Sequence, residues 1–238
     1  MNSMILVTGS SRGIGHATAE HMLGEGYTVV GVSRSVAPQD LMGNKSYIHL
    51  QRDLSLLDSI DSIKLEIMRL SNKYKFCGLV LNAGAINVGP AVRFDEVSSS
   101  EMMKLNYSAQ IKLMCAVLPR MIVAGGGSVV AVSSNAVSHS FAGRSAYAAS
   151  KAALSSYVMA ASRELGSRNV RMNVVEPGLT ETELMRDSSS ESEINAVIEH
   201  SSLKKVLHPE AVANVISFLL SEKSSAVTGQ VLRVDGGY

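Results

Sequence analysis

Short aliphatic runs recur along the chain, separated by longer segments of mixed polarity. They are MILVT (4–8), TVVGV (28–32), YIHLQ (47–51), GLVL (78–81), SVVAVS (128–133), VRMNVV (170–175) and QVLRV (230–234). Most are apolar throughout rather than alternating, the pattern of strands covered on both faces. Most gaps between them are long enough for a helix, so the chain reads as repeated β-α units. Right-handed crossovers then predict an α/β fold: a doubly wound, mostly parallel sheet of about seven strands with helices on both faces. No Pro/Gly linker, internal repeat or long charge block divides residues 1–238, which predicts a single domain. Only the Ser-rich DSSSESE (187–193) reads as mobile. The surrounding segment, 183–207, is expected to form a lid with Leu184, Met185 and Ile194 as apolar contacts.

Composition narrows the function classes. With 22 basic and 21 acidic residues and a formal charge of +1, the chain has no electrostatic footprint for nucleic acid or an acidic membrane. A small-molecule partner is expected instead. The 46% hydrophobic content is enough for a substantial core. Cys77 and Cys115 lack metal-ligand spacing and are too few for a disulfide scaffold, so they read as packing residues and no metal site is expected. The amino end lacks a basic region followed by a signal-length apolar segment, and no apolar run approaches the roughly 18 residues of a membrane span. A soluble, cytoplasmic protein is expected.

The first strand runs into TGSSRGIG, which places Gly9, Gly13 and Gly15 at spacings of four and two. Glycines there let the backbone turn tightly and approach a pyrophosphate, whose charge sits at the amino end of the next helix. Arg12 can add a cation. The second strand ends in Ser33-Arg34, where an NAD-binding chain usually places a carboxylate for the ribose hydroxyls. A guanidinium beside a hydroxyl suits a 2′-phosphate, so the cofactor is read as NADP(H) rather than NAD.

Further along, YAASK (147–151) sets Tyr147 and Lys151 on the inward stripe of a predicted helix, continued by Leu154, Val158, Ala161 and Leu165. The pair alone recurs by chance. Its place at the head of an apolar stripe gives it weight, because a buried lysine is costly unless used, and a cation near a phenol lowers a pKa that is ordinarily about 10. Asn106 interrupts a second apolar stripe (Met102, Ala109, Leu113, Val117), and Ser133-Ser134 end a buried strand at its carboxyl end, outside which such sheets bind ligands.

Taken in order, TGSSRGIG, DLS (53–55), LNAG (81–84), Asn106, Ser134, YAASK, NVVEPGLTET (173–182) and TGQVLRVDGG (228–237) closely resemble the short-chain dehydrogenase/reductase family over nearly the whole chain. The family separates its active-site serine and tyrosine by thirteen positions, which selects Ser134 over Ser133. The resemblance implies a Rossmann-type fold and a catalytic set of Asn106, Ser134, Tyr147 and Lys151. In it Tyr147 is the general acid, or the base in the oxidative direction, and Ser134 orients the carbonyl oxygen. Lys151 contacts the nicotinamide ribose and depresses the pKa of Tyr147, while the Asn106 main-chain carbonyl holds a relay water. Cofactor contacts are implied for Gly9, Ser11, Arg12, Gly13, Ile14, Gly15, Ser33, Arg34, Asp53, Leu54, Asn82, Ala83, Gly84, Tyr147, Lys151, Pro177, Gly178, Thr180 and Thr182. Ser138, His139 and Phe141 are expected to border the substrate.

The closest pattern is that of 3-oxoacyl-acyl-carrier-protein reductases, which implies NADPH-dependent reduction of a 3-oxoacyl thioester or small ketone. Basic residues that would dock an acidic carrier are missing from VAGGGS (123–128), whereas Arg168 matches another docking position, so carrier-bound and free substrates both stay open. Oxidative alcohol dehydrogenation uses the same residues. A non-catalytic NADP-binding sensor is the reading from another class, and the intact set of four argues against it. The family further implies a homotetramer assembled through the helices around 101–124 and 146–165 and the last strand.

Overall fold

The computed structural model describes residues 2–93 and 95–238. Seven strands form one sheet in the order β3-β2-β1-β4-β5-β6-β7, with every neighbouring pair parallel. They are β1 (Ser3–Thr8), β2 (Thr28–Ser33), β3 (Tyr47–Gln51), β4 (Lys75–Leu81), β5 (Gly127–Val132), β6 (Val170–Pro177) and β7 (Val231–Val234). Each aliphatic run of the sequence coincides with one of them to within a few residues. Continuous apolarity has the predicted cause. Met4 and Leu6 of β1 enter one core layer while Ile5 and Val7 enter the other, and β5 divides Val129 and Ala131 from Val130 and Val132 in the same way.

Helices cover both faces. Residues of α2 (Leu57–Leu70), α4 (Gln110–Val123) and α6 (Ser145–Leu165) share the first layer with Met4 and Leu6. On the other face, α1 (Gly13–Gly24) and α9 (Pro209–Leu220) contribute Met22, Val212, Ile216 and Leu219. The chain winds from β1 out to β3, then crosses back to place β4 on the opposite side of β1. That reversal opens a crevice beyond the carboxyl ends of β1 and β4, the usual ligand position in an open α/β sheet.

Two irregularities shape the crevice. Between α3 (Glu96–Met103) and α4, residues Lys104–Ala109 form a π-helical turn that contains the fully buried Asn106. Over the crevice, α5 (Ala136–His139) follows β5, and α7 (Glu183–Ser188) and α8 (Glu191–His200) follow β6. No residue of α7 or α8 is buried. DSSSESE is not a loose lead: its first residues end α7, and Ser190 caps α8 in a reciprocal box with Glu193. Cys77 is half-buried, but Cys115 is exposed on α4 rather than packed. Among the described residues no helix is long and apolar enough to cross a membrane.

Candidate active site

At the start of the crevice the glycine turn is dictated by close approach. Gly9 has φ 68°, and a side-chain carbon there would lie 2.8 Å from Asn82 Nδ2. At Gly15 such a carbon would lie 2.2 Å from the carbonyl oxygen of Gly9, so α1 begins flush against the turn. β4 is stitched to this turn by polar bonds. Thr8 Oγ1 accepts from the amides of Asn82 (2.8 Å) and Ala83 (3.0 Å), and Asn82 Nδ2 donates to Thr8 O at 2.9 Å. The resulting trough is lined by Ser11, Arg12, Gly13 and Ile14 on one side and by Ser33, Arg34, Asp53 and Leu54 at its far end. Burial pushes the Asp53 pKa up, but hydrogen bonds from Ser55 and the charges of Arg34 and Lys104 outweigh it and leave the carboxyl below its ordinary value.

Ile14, Asn82, Gly84, Thr182 and Leu184 also line a second cavity, which continues the trough to Ser134, Tyr147, Lys151, Pro177, Gly178 and Thr180. Tyr147 and Lys151 leave the first turns of α6 on one buried stripe with Leu154 and Val158. The Tyr147 ring packs in a small apolar cluster with Met102, Ala136 and Phe141. Ser150 Oγ donates to the Tyr147 carbonyl (2.7 Å) and accepts from Asn106 Nδ2 (2.9 Å). Asn106 also holds both the amide and the carbonyl of Ala85, each at 2.8 Å. Thus the π turn pins α6 to the segment after β4. The two serines separate by partner: Ser133 Oγ is engaged by Ser155 Oγ at 2.8 Å, whereas Ser134 Oγ faces the cavity and accepts only the Ala136 amide at 3.2 Å among the described residues.

The electrostatics differ from the sequence expectation. Lys151 Nζ donates to Val132 O at 2.9 Å, and burial lowers its pKa to about 8. Burial raises the pKa of Tyr147, and the opposing influences come from the Ser134 hydroxyl and the Arg144 charge rather than from Lys151. Tyr147 is therefore held as a neutral phenol, a proton donor. Arg12, expected to face a phosphate, forms an ion pair with Glu183 of α7 across the trough.

Most expected residues meet along this crevice, with departures that have local causes. Asn106 and Gly15 act from behind the lining. Ser138 Oγ turns to Glu176 Oε2 (2.6 Å) and His139 packs edge-on to Tyr238, so only Phe141 of that trio lines the cavity. From the segment expected as a lid, Leu184 and Met185 line it, but Glu193, Ala196 and Val197 take the place expected for Ile194. Sequence reasoning missed Arg52 beside Arg34, and Asn135 and Arg144 at the reaction end. Arg52 was the most accessible of these, because it immediately precedes the DLS stretch.

Residues 9–238 match the protein family described as enoyl-(acyl carrier protein) reductase. A solved structure described as a short chain dehydrogenase/reductase family protein superposes with a TM-score of 0.88 at 30% identity, covering 99% of this chain and 96% of that one. This chain belongs to the short-chain dehydrogenase/reductase family. As a short-chain dehydrogenase/reductase it is an oxidoreductase of a family that works with a nicotinamide cofactor. It is 34% identical over 236 residues to the 3-oxoacyl-(acyl-carrier-protein) reductase of Thermotoga maritima, which covers 98% of this chain and 96% of that protein. A 4-hydroxyisoleucine dehydrogenase complexed with NADH superposes with a TM-score of 0.91 at 25% identity, covering 99% and 98% of the two chains. The crevice of this short-chain dehydrogenase/reductase fits a dinucleotide. Gly9 and Gly13 hold left-handed backbone, the trough is continuous from Arg34 to Tyr147, and a side-chain carbon at Gly84 would come within 3.2 Å of Lys151 Nζ.

Proposed function

We propose that the protein is an NADPH-dependent oxidoreductase that reduces a carbonyl group, in a 3-oxoacyl thioester or small ketone, to a secondary alcohol. The observation that carries this reading is the placement of Ser134 and Tyr147 on one cavity with a buried lysine, where the dinucleotide trough ends. When bound, the reduced nicotinamide would supply the hydride. Ser134, whose hydroxyl faces the cavity beside Tyr147, would donate to the carbonyl oxygen and so fix its direction. Tyr147, neutral because burial raises its pKa, donates its proton to the same oxygen as negative charge builds there. Lys151, cationic below about pH 8, stabilises the phenolate left behind and would hold the nicotinamide ribose with Tyr147. Asn106 keeps the first turn of α6 in place through Ser150, and its main-chain carbonyl would hold a water that returns the proton.

At the other end of the trough, Ser33, Arg34 and Arg52 support a 2′-phosphate. Two guanidinium groups lie on the lining there, and Asp53 is engaged by Ser55.

The test is steady-state oxidation of NADPH and of NADH with ethyl acetoacetate, repeated on Tyr147→Phe. NADPH should be preferred by roughly 10- to 100-fold in kcat/KM, the worth of a charge-assisted phosphate contact. Tyr147→Phe should lose about 10²- to 10⁴-fold in kcat while keeping cofactor affinity. Undiminished turnover in that variant would remove Tyr147 from the mechanism, and a preference for NADH would overturn the role of Ser33 and Arg34.

A further inference from the structure

Arg144 stands at the amino end of α6, three residues before Tyr147, and lines the reaction end of the cavity among Ile86, Phe141, Met185 and Val197. Its Nη2 donates to Ser188 O (3.2 Å) and Ser189 Oγ (2.8 Å), which orients the guanidinium plane. Nε and Nη1 have no partner among the described residues, and Arg144 forms no ion pair among them, unlike Arg12, Arg69 and Arg186. The carboxylate side chain on this lining, Glu193, is turned onto Ser190, whose N and Oγ donate to its Oε2 at 2.7 and 2.8 Å. Arg144 is half-buried on a largely apolar lining with Nε and Nη1 unpaired among the described residues, and the nearby Glu193 carboxylate feels its charge without forming an ion pair with it, so the fork stays available to an anionic oxygen pair.

We infer that the substrate is a small oxo acid, whose carboxylate is bound by Arg144 while its ketone oxygen lies between Ser134 and Tyr147. The inference rests on the carbonyl-reductase reading above and deepens it. Arg144, Ser134 and Tyr147 line one cavity, so a carboxylate on Arg144 and a ketone between Ser134 and Tyr147 can belong to one small molecule. The planar fork of Arg144 matches a carboxylate with two parallel hydrogen bonds. A carrier thioester has no such charge next to its ketone, so Arg144 is a specificity residue that separates the two substrate classes left open by the sequence.

The test compares acetoacetate with its methyl ester, the same ketone with and without the charge, in the wild-type protein, Arg144→Gln and Arg144→Lys. The readout is the acid-to-ester ratio of kcat/KM, because any effect of Arg144 on Tyr147 or on the lid falls on both substrates alike. The wild type should favour the acid, and Arg144→Gln should cut the ratio by roughly 10- to 100-fold, mainly through KM, with partial recovery in Arg144→Lys. Alongside it, malonate is titrated calorimetrically into full-length protein saturated with NADP+; binding should be seen in the wild type and lost in Arg144→Gln. An unchanged ratio in Arg144→Gln would reduce Arg144 to a tie between α6 and the lid and overturn the inference. Turnover of the ester without the acid would also overturn it, yet leave the reductase standing. Malonate held through Arg144 in a protein that oxidises no NADPH would support the anion site and sink the reductase.

Discussion

The sheet side and the lid side of the crevice are held by different means. On the sheet side, Gly9, Gly15 and Asn82 meet at distances that admit no extra atom, and Ser133, Ser155 and Lys151 are fixed by buried hydrogen bonds. On the lid side, α7 and α8 bury no residue. They are tied down by the Arg12–Glu183 pair, the bonds from Arg144 to Ser188 and Ser189, and the bridge between Thr180 and Leu207. A wall built from packing is rigid because any displacement breaks many contacts together. A wall built from exposed polar links opens at little cost, since such links are worth about 1 kcal/mol or less each. In the proposed mechanism the chemistry stands on the rigid wall, and the loose wall is the side that would open as a lid.

Three substitutions probe that contrast. The largest effect belongs to Gly15→Ala, whose new carbon would press on the Gly9 carbonyl oxygen. Roughly 3 kcal/mol should be lost, lowering Tm by about 10 °C in a calorimetric melt, and an unchanged Tm would mean that the turn has slack.

Next comes Lys151. Its folded pKa of about 8 lies below the unfolded value of 10.5, so between those values the unfolded chain keeps a proton that the folded one has released, and stability rises with pH. Urea unfolding of the cofactor-free protein should show a gain of roughly 2 kcal/mol from pH 7.5 to 9.5 relative to Lys151→Met, which removes the group. Parallel pH curves for the two proteins would show that Lys151 is not desolvated.

The smallest effect is expected on the lid. Ser190→Ala should remove about 1 kcal/mol of capping and speed amide exchange in Glu191–His200 with almost no change in Tm. A clear drop in Tm would mean that the lid is part of the cooperative core.

The same contrast explains what was legible in the sequence. β1 and β5 could be read because burial on both faces demands unbroken apolarity, and the pair Tyr147 and Lys151 because a single helix turn fixes their relation. Arg144 could not be read in this way, since its meaning depends on Ser188, Ser189 and Glu193 from another element. DSSSESE was misjudged because its composition suggests mobility, while the three-residue spacing of Ser190 and Glu193 is a capping signal that outweighs it. His139 was assigned to the substrate by proximity in sequence. Ser140, at φ 53°, ends α5 in a left-handed turn, and no residue pattern announced where the side chains before it would point.

The π turn at Lys104–Ala109 sets the phase of the long helical stretch around it. An α-helix advances about 100° per residue, so the one residue that a π turn adds rotates everything on its amino side by about that angle relative to an unbroken helix. Met102, whose sulfur accepts the Asn87 amide and whose side chain packs with the Tyr147 ring, owes its direction to that rotation. Shortening the segment by one residue would repair the helix and, with the same stroke, swing Met102 off the tyrosine. In this stretch an irregular hydrogen-bond ladder acts as the bearing on which the position of the active site turns.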